Sequence, residues 1–264
     1  MSKLHSLALA SASLFFVSNL HAQYADAVVS YTAGSGVNPS FTDPSRALGA
    51  PTAFIGYQNA DPFNPPYQNT HLVSVGAGGS LTVQFSAPIL NSPSHTYGLD
   101  FVIFGNSGFI ITNGNFSGGG ITDGSLFANN TGTTRVWVSA DNATYYALNP
   151  ALAPVVDGLF PTDASGDFSQ SVNPALGQSA FAGKDLVGIR ALYAGSAGGT
   201  GYDISWAQDG GGQSVFLPSI SFIRVEVLGG KSEVDAISVV PEPGAWAVTL
   251  VSIGLWFGVR RRWS

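Results

Sequence analysis

Between Tyr24 and Val240 the chain has two histidines, His71 and His95, thirteen aspartates, two glutamates and no cysteine. A serine–histidine–aspartate triad or a zinc site would therefore have to use one of those two imidazoles. No Gly-x-Ser-x-Gly elbow and no His-Glu-x-x-His motif is present. Gly177-Gln-Ser-Ala-Phe-Ala-Gly183-Lys184-Asp185 approaches a phosphate loop, but it is one residue too long and has Asp185 where a hydroxyl is required. His71 opens a strand candidate and His95 lies in Asn91-Ser-Pro-Ser-His-Thr, so both read as surface or turn residues. What remains is oxygen chemistry. A carboxylate pair would suit a hydrolase of polysaccharides, although no spacing places two acids at one cleft.

Two non-catalytic uses of these side chains follow. Asp100, Asp203 and Asp235 stand at strand ends among glycine-rich turns, whose carbonyls and carboxylates could together supply a structural calcium ion. The competing reading is that Asp203 and Asp235 accept backbone N–H bonds and fix their turns. Tyr57, Tyr67, Tyr145 and Tyr146 are candidate sugar-stacking rings. Tyr57-Gln58-Asn59 and Tyr67-Gln68-Asn69 each set an aromatic beside amides that can bond hydroxyls. Core packing accounts for any single ring equally well, and Trp137 and Trp206 read as buried.

The elements that must position these groups are short. Runs rich in β-branched and aromatic residues recur between Gly, Asn, Asp, Ser and Pro, and no helix-length amphipathic stretch stands out. Strands are expected at 27–32, 71–75, 80–86, 99–104, 134–140, 144–148, 186–192, 202–206, 220–227 and 233–239. Leu81, Val83 and Phe85 alternate with Thr82 and Gln84; Val136 and Val138 oppose Arg135 and Trp137; Ile223, Val225 and Val227 oppose Phe222, Arg224 and Glu226. Period-two alternation of this kind marks half-buried strands, and predicts an all-β, antiparallel sandwich or jelly roll. Asp141-Asn142 would close a hairpin in two or three residues. The long stretches 54–70, 105–133 and 149–184 read as surface excursions.

Composition agrees. The 264 residues include 33 Gly and 15 Pro, and only 10% are charged, which is too apolar for a disordered chain and too turn-rich for a helical bundle. The absence of cysteine excludes a disulfide scaffold, a thiol nucleophile and an iron–sulfur cluster. Four of the ten basic residues lie outside 24–240, leaving that segment with a formal charge of −9. An acidic surface lacks the cationic footprint that nucleic-acid binding needs.

Both ends read as address labels. Residues 1–23 have Lys3 and His5, an apolar run from Leu7 to Val17, and Leu20-His21-Ala22 before Gln23, the three-part pattern of a signal peptide. At the other end Pro241-Glu242-Pro243 precedes a 16-residue apolar span, Gly244 to Val259, and then Arg260, Arg261 and Arg262. As a helix the span would cover about 24 Å, somewhat less than a ~30 Å hydrocarbon core. Arginines kept in the cytoplasm place everything upstream of the span outside, in agreement with the signal peptide.

This tail resembles the PEP-CTERM sorting signal of Gram-negative bacteria. The resemblance implies processing by signal peptidase and by an exosortase, transient residence of 244–259 in the inner membrane, and delivery to the cell surface or extracellular matrix. Two segments of the body resemble a bacterial secreted β domain that often precedes such tails. One runs from Ala47-Leu48-Gly49-Ala50-Pro51 through Leu81-Thr82-Val83-Gln84-Phe85 to Asp100-Phe101-Val102-Ile103-Phe104-Gly105-Asn106. The other runs from Gly198-Gly199-Thr200-Gly201-Tyr202-Asp203 to Glu233-Val234-Asp235-Ala236. An acidic residue often follows the Val/Ile-Phe pair in that family, and Gly105 stands there instead. The resemblance implies a galactose-binding-like jelly roll over 24–240 as one domain. The expected protein is a non-catalytic surface module contacting extracellular polysaccharide; a carboxylate-pair hydrolase and a passive structural component are the alternatives.

Overall fold

The computed structural model describes residues 23–128 and 132–242. The signal-peptide segment up to residue 22, Pro243, the apolar span 244–259 and the arginine cluster 260–262 lie outside the described residues. Within them no helix is long and apolar enough to cross a membrane.

The described chain is all-β with antiparallel pairing and one α-helix. In order, the elements are β1 (Ala27–Thr32), β2 (Val73–Gly76), β3 (Gly79–Leu90), β4 (Phe101–Phe104), β5 (Gly108–Phe109), β6 (Leu126–Phe127), β7 (Thr133–Ser139) and β8 (Tyr146–Leu148). They continue with α1 (Leu186–Tyr193), β9 (Thr200–Tyr202), β10 (Ala207–Gln208), β11 (Ser219–Gly229), β12 (Lys231–Val234) and β13 (Ala236–Val239). A six-stranded sheet runs β1-β3-β11-β7-β8-β10. Beside it are a three-stranded sheet β13-β4-β9 and the pairs β12-β2 and β5-β6.

The alternation read in the sequence decides which faces are buried. Leu81, Val83, Val136, Val138, Ile223, Val225 and Val227 all enter one core, with Val73, Val75, Val234, Phe101, Ile103 and Ile237 from the smaller sheets. Arg224 pairs opposite Thr82 and Trp137 on the other face. There Trp137 Nε1 donates to Glu226 Oε2 at 2.8 Å. Trp137 and Trp206 are half-buried rather than buried.

Strand β4 is apolar at every position because both of its faces are covered. Phe101 and Ile103 join the main core, while Val102 and Phe104 pack with Ala197 and Val240 in a small satellite. Gly199 makes that second packing possible. Its φ is +75°, and a Cβ there would sit 2.5 Å from Val102 Cγ1.

Further expectations are corrected, beginning with the strand expected at 202–206, where β9 ends at Tyr202 and Ile204–Trp206 is a short 3-10 turn. The strand expected at 186–192 is α1. Asp185 accepts from Gly188 N and caps it, and Ile189 and Tyr193, four apart, are its buried residues. The long stretches are not mere surface excursions. Phe109, Leu126, Phe160, Val172, Phe181, Ile189 and Tyr193 form a second core drawn from 105–133, 149–184 and α1. The Phe109 and Phe181 rings lie 4.8 Å apart, with Tyr193 edge-on to Phe181 at 5.9 Å. Finally, β7 and β8 do form a hairpin, but its loop spans 140–145. Asp141 Oδ1 accepts from the N–H groups of Ala143 and Thr144 to shape it.

Candidate functional site

The first residues of the C-terminal tail dock on the body. After β13, Val240 is buried and donates its N–H to the carbonyl of Asp100 at 2.9 Å; Pro241 is exposed. Asp100 is fully buried and organises the turn between β3 and β4. Its Oδ1 accepts from Ser92 N at 3.0 Å and contacts His95 Nδ1 at 2.7 Å, and its Oδ2 accepts from Ile204 N at 2.7 Å. His95 is therefore a buried residue, contrary to the surface or turn position expected of it. Its Nε2 faces Glu242 Oε1 at 3.5 Å. Ser94 Oγ and Ser92 Oγ donate to Glu242 Oε2 at 2.8 and 3.2 Å. These hydroxyls, Ser94 first, and then the imidazole hold the Glu242 carboxyl below the usual carboxylate range.

Serine, histidine and aspartate thus meet here, but in an arrangement that holds an anion. The two hydroxyls contact the Glu242 carboxylate and each other, 2.8 Å apart, rather than the imidazole. The start of the body lies beside the same strand: Tyr24 bridges to Ser238, and Val239 N donates to the carbonyl of Gln23.

Of the three aspartates considered for calcium, Asp100 and Asp203 are neighbours and Asp235 stands apart. Asp100 is occupied as described. Asp203 caps the short 3-10 turn Ile204–Trp206, accepting from Ser205 N at 2.6 Å, and burial followed by the charge of Asp100 raises its pKa. Asp235 lies elsewhere and is fully engaged with one residue, accepting from Thr52 N at 2.8 Å and from Thr52 Oγ1 at 2.7 Å. Among the described residues no three acidic, histidine or cysteine side chains converge on a point where a metal could sit.

The four tyrosines divide into two pairs. Tyr145 lies under the guanidinium of Arg224, 3.8 Å from Cζ to ring centre, and its hydroxyl donates to Asn142 Oδ1 at 2.5 Å. Tyr146 packs against the main core. Tyr57 and Tyr67 instead present themselves on the 54–70 loop, 62% and 49% exposed, together with Phe54 at 57%. Sequence reading missed Phe54, whose signal was its position three residues before Tyr57.

That loop has a fixed backbone. Ile55 is buried beneath it; Ile55 N donates to the Gln58 carbonyl and Ala60 N to the Ala53 carbonyl. Asp61 Oδ1 accepts from the N–H groups of Phe63 and Asn64, at 2.8 and 3.0 Å. Gln58 Nε2 donates to Asp61 Oδ2, and Gln68 Nε2 reaches the Ile55 carbonyl at 3.2 Å, linking the two Tyr-Gln-Asn segments. His71 lies edge-on to Tyr67, 6.4 Å between ring centres, and burial lowers its pKa. The loop exposes three rings, Phe54, Tyr57 and Tyr67, while the Asp61 carboxylate is taken up by bonds inside the loop; exposed rings can stack on the face of a sugar. A scan of protein-family models finds no match to this chain, and a search of curated proteins finds none either.

Proposed function

We propose that this chain is an exported, non-catalytic surface module of a Gram-negative bacterium, sorted through a PEP-CTERM tail and contacting extracellular polysaccharide. In this reading the antiparallel body is a jelly-roll-like sandwich, presented outside the inner membrane after signal peptidase and exosortase act on its ends. The observation that carries the binding function is the 54–70 loop, where Phe54, Tyr57 and Tyr67 stand exposed on a backbone tied down by Asp61 and Gln68. A backbone ordered before a ligand arrives loses little entropy on binding, which favours the aromatics exposed on it as weak sugar contacts. Display of many copies on a cell would convert weak contacts into firm attachment. Support for the address comes from the order of Pro241-Glu242-Pro243, apolar span and arginines in the sequence.

A glycan-array screen tests the reading, comparing the protein with a Tyr57→Ala/Tyr67→Ala double variant. Binding to a polysaccharide class that falls at least tenfold in the double variant is the expected result. No glycan bound, or binding equal in both proteins, would overturn it and leave the passive structural role.

A further inference from the structure

A second group of acidic side chains lies inside the body, on residues other than those of the tail clamp and the exposed rings; the chain just after it is bonded to the aromatic loop, Phe109 N donating to the Pro62 carbonyl at 2.8 Å. Glu233 on β12 stands opposite Ser74 on β2, and its Oε1 accepts from Ser74 Oγ at 2.8 Å and from Lys231 Nζ at 3.1 Å. Its Oε2 contacts Nδ2 of Asn106, from the loop between β4 and β5. Asp157 reaches the same loop from the segment following β8, and its Oδ1 accepts from Ser107 N at 2.9 Å. The Asp157 carboxyl fills the space a side chain at position 105 would need: a Cβ on Gly105 would lie 2.2 Å from Asp157 Cγ.

Asp157 is 3% exposed and Asn106 8%. Each has one buried oxygen with no hydrogen-bond partner, Oδ2 of Asp157 and Oδ1 of Asn106. Buried acceptors are nearly always satisfied, because one left bare loses its bonds to water and gains none in return. Asp157 also has a left-handed backbone, φ +60°, uncommon for a residue other than glycine. Two carboxylates at close quarters repel, and Glu233 reinforces the effect of burial in raising the Asp157 carboxyl well above its ordinary range. Lys231, whose side chain is half-exposed, offsets only the Glu233 charge.

We propose that Asp157, Glu233 and Asn106 form a calcium site, with Asp157 Oδ2, Asn106 Oδ1 and the Glu233 carboxylate as its side-chain oxygens. A hard divalent cation satisfies both bare oxygens and neutralises the acid pair once the Asn106 amide, whose Nδ2 faces Glu233 Oε2, turns its Oδ1 toward the carboxylate. The donor set contains no nitrogen or sulfur ligand that would favour zinc or copper. Calcium tolerates the irregular geometry that carboxylates, an amide oxygen, backbone carbonyls and water provide. Lys231 can turn into solvent when the cation arrives. The site joins β12, the β4–β5 loop and the segment after β8, so occupancy stabilises the fold by mass action. Its occupancy does not require polysaccharide binding.

The experiment is calorimetric titration of the full chain with calcium chloride at neutral pH after stripping with EDTA, alongside thermal denaturation at each concentration. One saturable site and a Tm that climbs with calcium are expected. Asp157→Asn and Glu233→Gln should each weaken uptake at least tenfold, while Asp203→Asn leaves it unchanged. Asparagine keeps the volume of Asp157 and tolerates its backbone conformation. In EDTA, Asp157→Asn should melt at or above the parent, which distinguishes loss of the ion from loss of the fold. Absence of uptake by the parent chain overturns the proposal, as does uptake unaltered in both variants. A Tm that calcium leaves unmoved while acidification raises it would assign the two bare oxygens to a shared proton instead.

Discussion

His95 Nδ1 lies 2.7 Å from Asp100 Oδ1, with both side chains buried. The contact sits where three parts of the chain meet: the turn after β3, the segment after β9 through Ile204 N, and the end of β13 through Val240 N. The same imidazole faces the glutamate of the Pro241-Glu242-Pro243 motif from its other edge. The exit of the tail is therefore built on an interior carboxylate rather than left as a loose end.

Removing the imidazole leaves Asp100 buried with one donor fewer, so His95→Ala should destabilise the chain by about 2–4 kcal/mol. Glu242→Ala removes a partly solvated carboxylate and should cost about 1 kcal/mol or less. Urea denaturation of the two variants checks the contrast. Equal losses would mean that the clamp, not the interior pair, carries the energy.

The six-stranded sheet was legible because Leu81-Thr82-Val83-Gln84-Phe85 and Ile223-Arg224-Val225-Glu226-Val227 write half-burial directly into a two-residue period. The second core was not. Phe109, Phe160, Phe181 and Tyr193 come from segments with no period, and only tertiary packing brings them together. Helix α1 had a readable signal, since Leu186, Ile189 and Tyr193 follow helical spacing after the cap Asp185, but its Val187 and Ile189 also fit strand alternation. The clamp was hidden for another reason. His95 and Glu242 are far apart in sequence, and nothing local to Asn91-Ser-Pro-Ser-His-Thr marks its histidine as interior. Of the tyrosines, 57 and 67 were separable from 145 and 146 only through the Arg224 ring contact and the core packing of Tyr146.

Asp235 gives a pH dependence of defined sign. Burial raises its pKa from 3.8 to about 7, against the lowering effect of its two bonds from Thr52. Between those values the folded chain holds a proton that the unfolded chain has released. The contribution to stability is therefore present below the unfolded value, declines as pH rises toward about 7, and is flat above it. The span amounts to a few kcal/mol at most. Asp157 and Asp203 have raised values too, so the measurement is a difference. The pH dependence of unfolding free energy should be shallower in Asp235→Asn than in the parent between about pH 4 and 7. In the variant, the Thr52 hydroxyl can turn to accept from the new amide. Parallel profiles would refute the assignment.

Phe181 is fully buried between Phe109, Phe160 and Tyr193. Phe181→Ala should cost about 3–5 kcal/mol through lost burial and the cavity left behind. Phe216 is 81% exposed, and its replacement by alanine should change stability by no more than ~0.5 kcal/mol. Chemical denaturation midpoints at an unchanged slope decide whether the aperiodic segments form a core in the energetic sense.

Arg190, in the last turn of α1, ties the helix to the turn before Asp167. Its Nε donates to Asp163 Oδ2 at 2.7 Å and its Nη2 to Asp163 Oδ1 at 3.0 Å, a two-point pairing with a buried carboxylate. Asp163 also accepts from Ser165 N and Ser165 Oγ, so its charge stays partly bonded without the arginine. Arg190→Ala should therefore cost about 2–3 kcal/mol, below the full penalty for an isolated buried charge. Arg190→Lys keeps the charge but not the fork, and should recover only part of that loss. Hydrogen exchange at the α1 amides supplies the local readout: protection should fall in the order parent, lysine variant, alanine variant, and more steeply there than in β3 or β11. Protection that fell equally in all three elements would show the pair to be coupled to global unfolding alone, and the helix to be anchored by Ile189 and Tyr193 rather than by its charge.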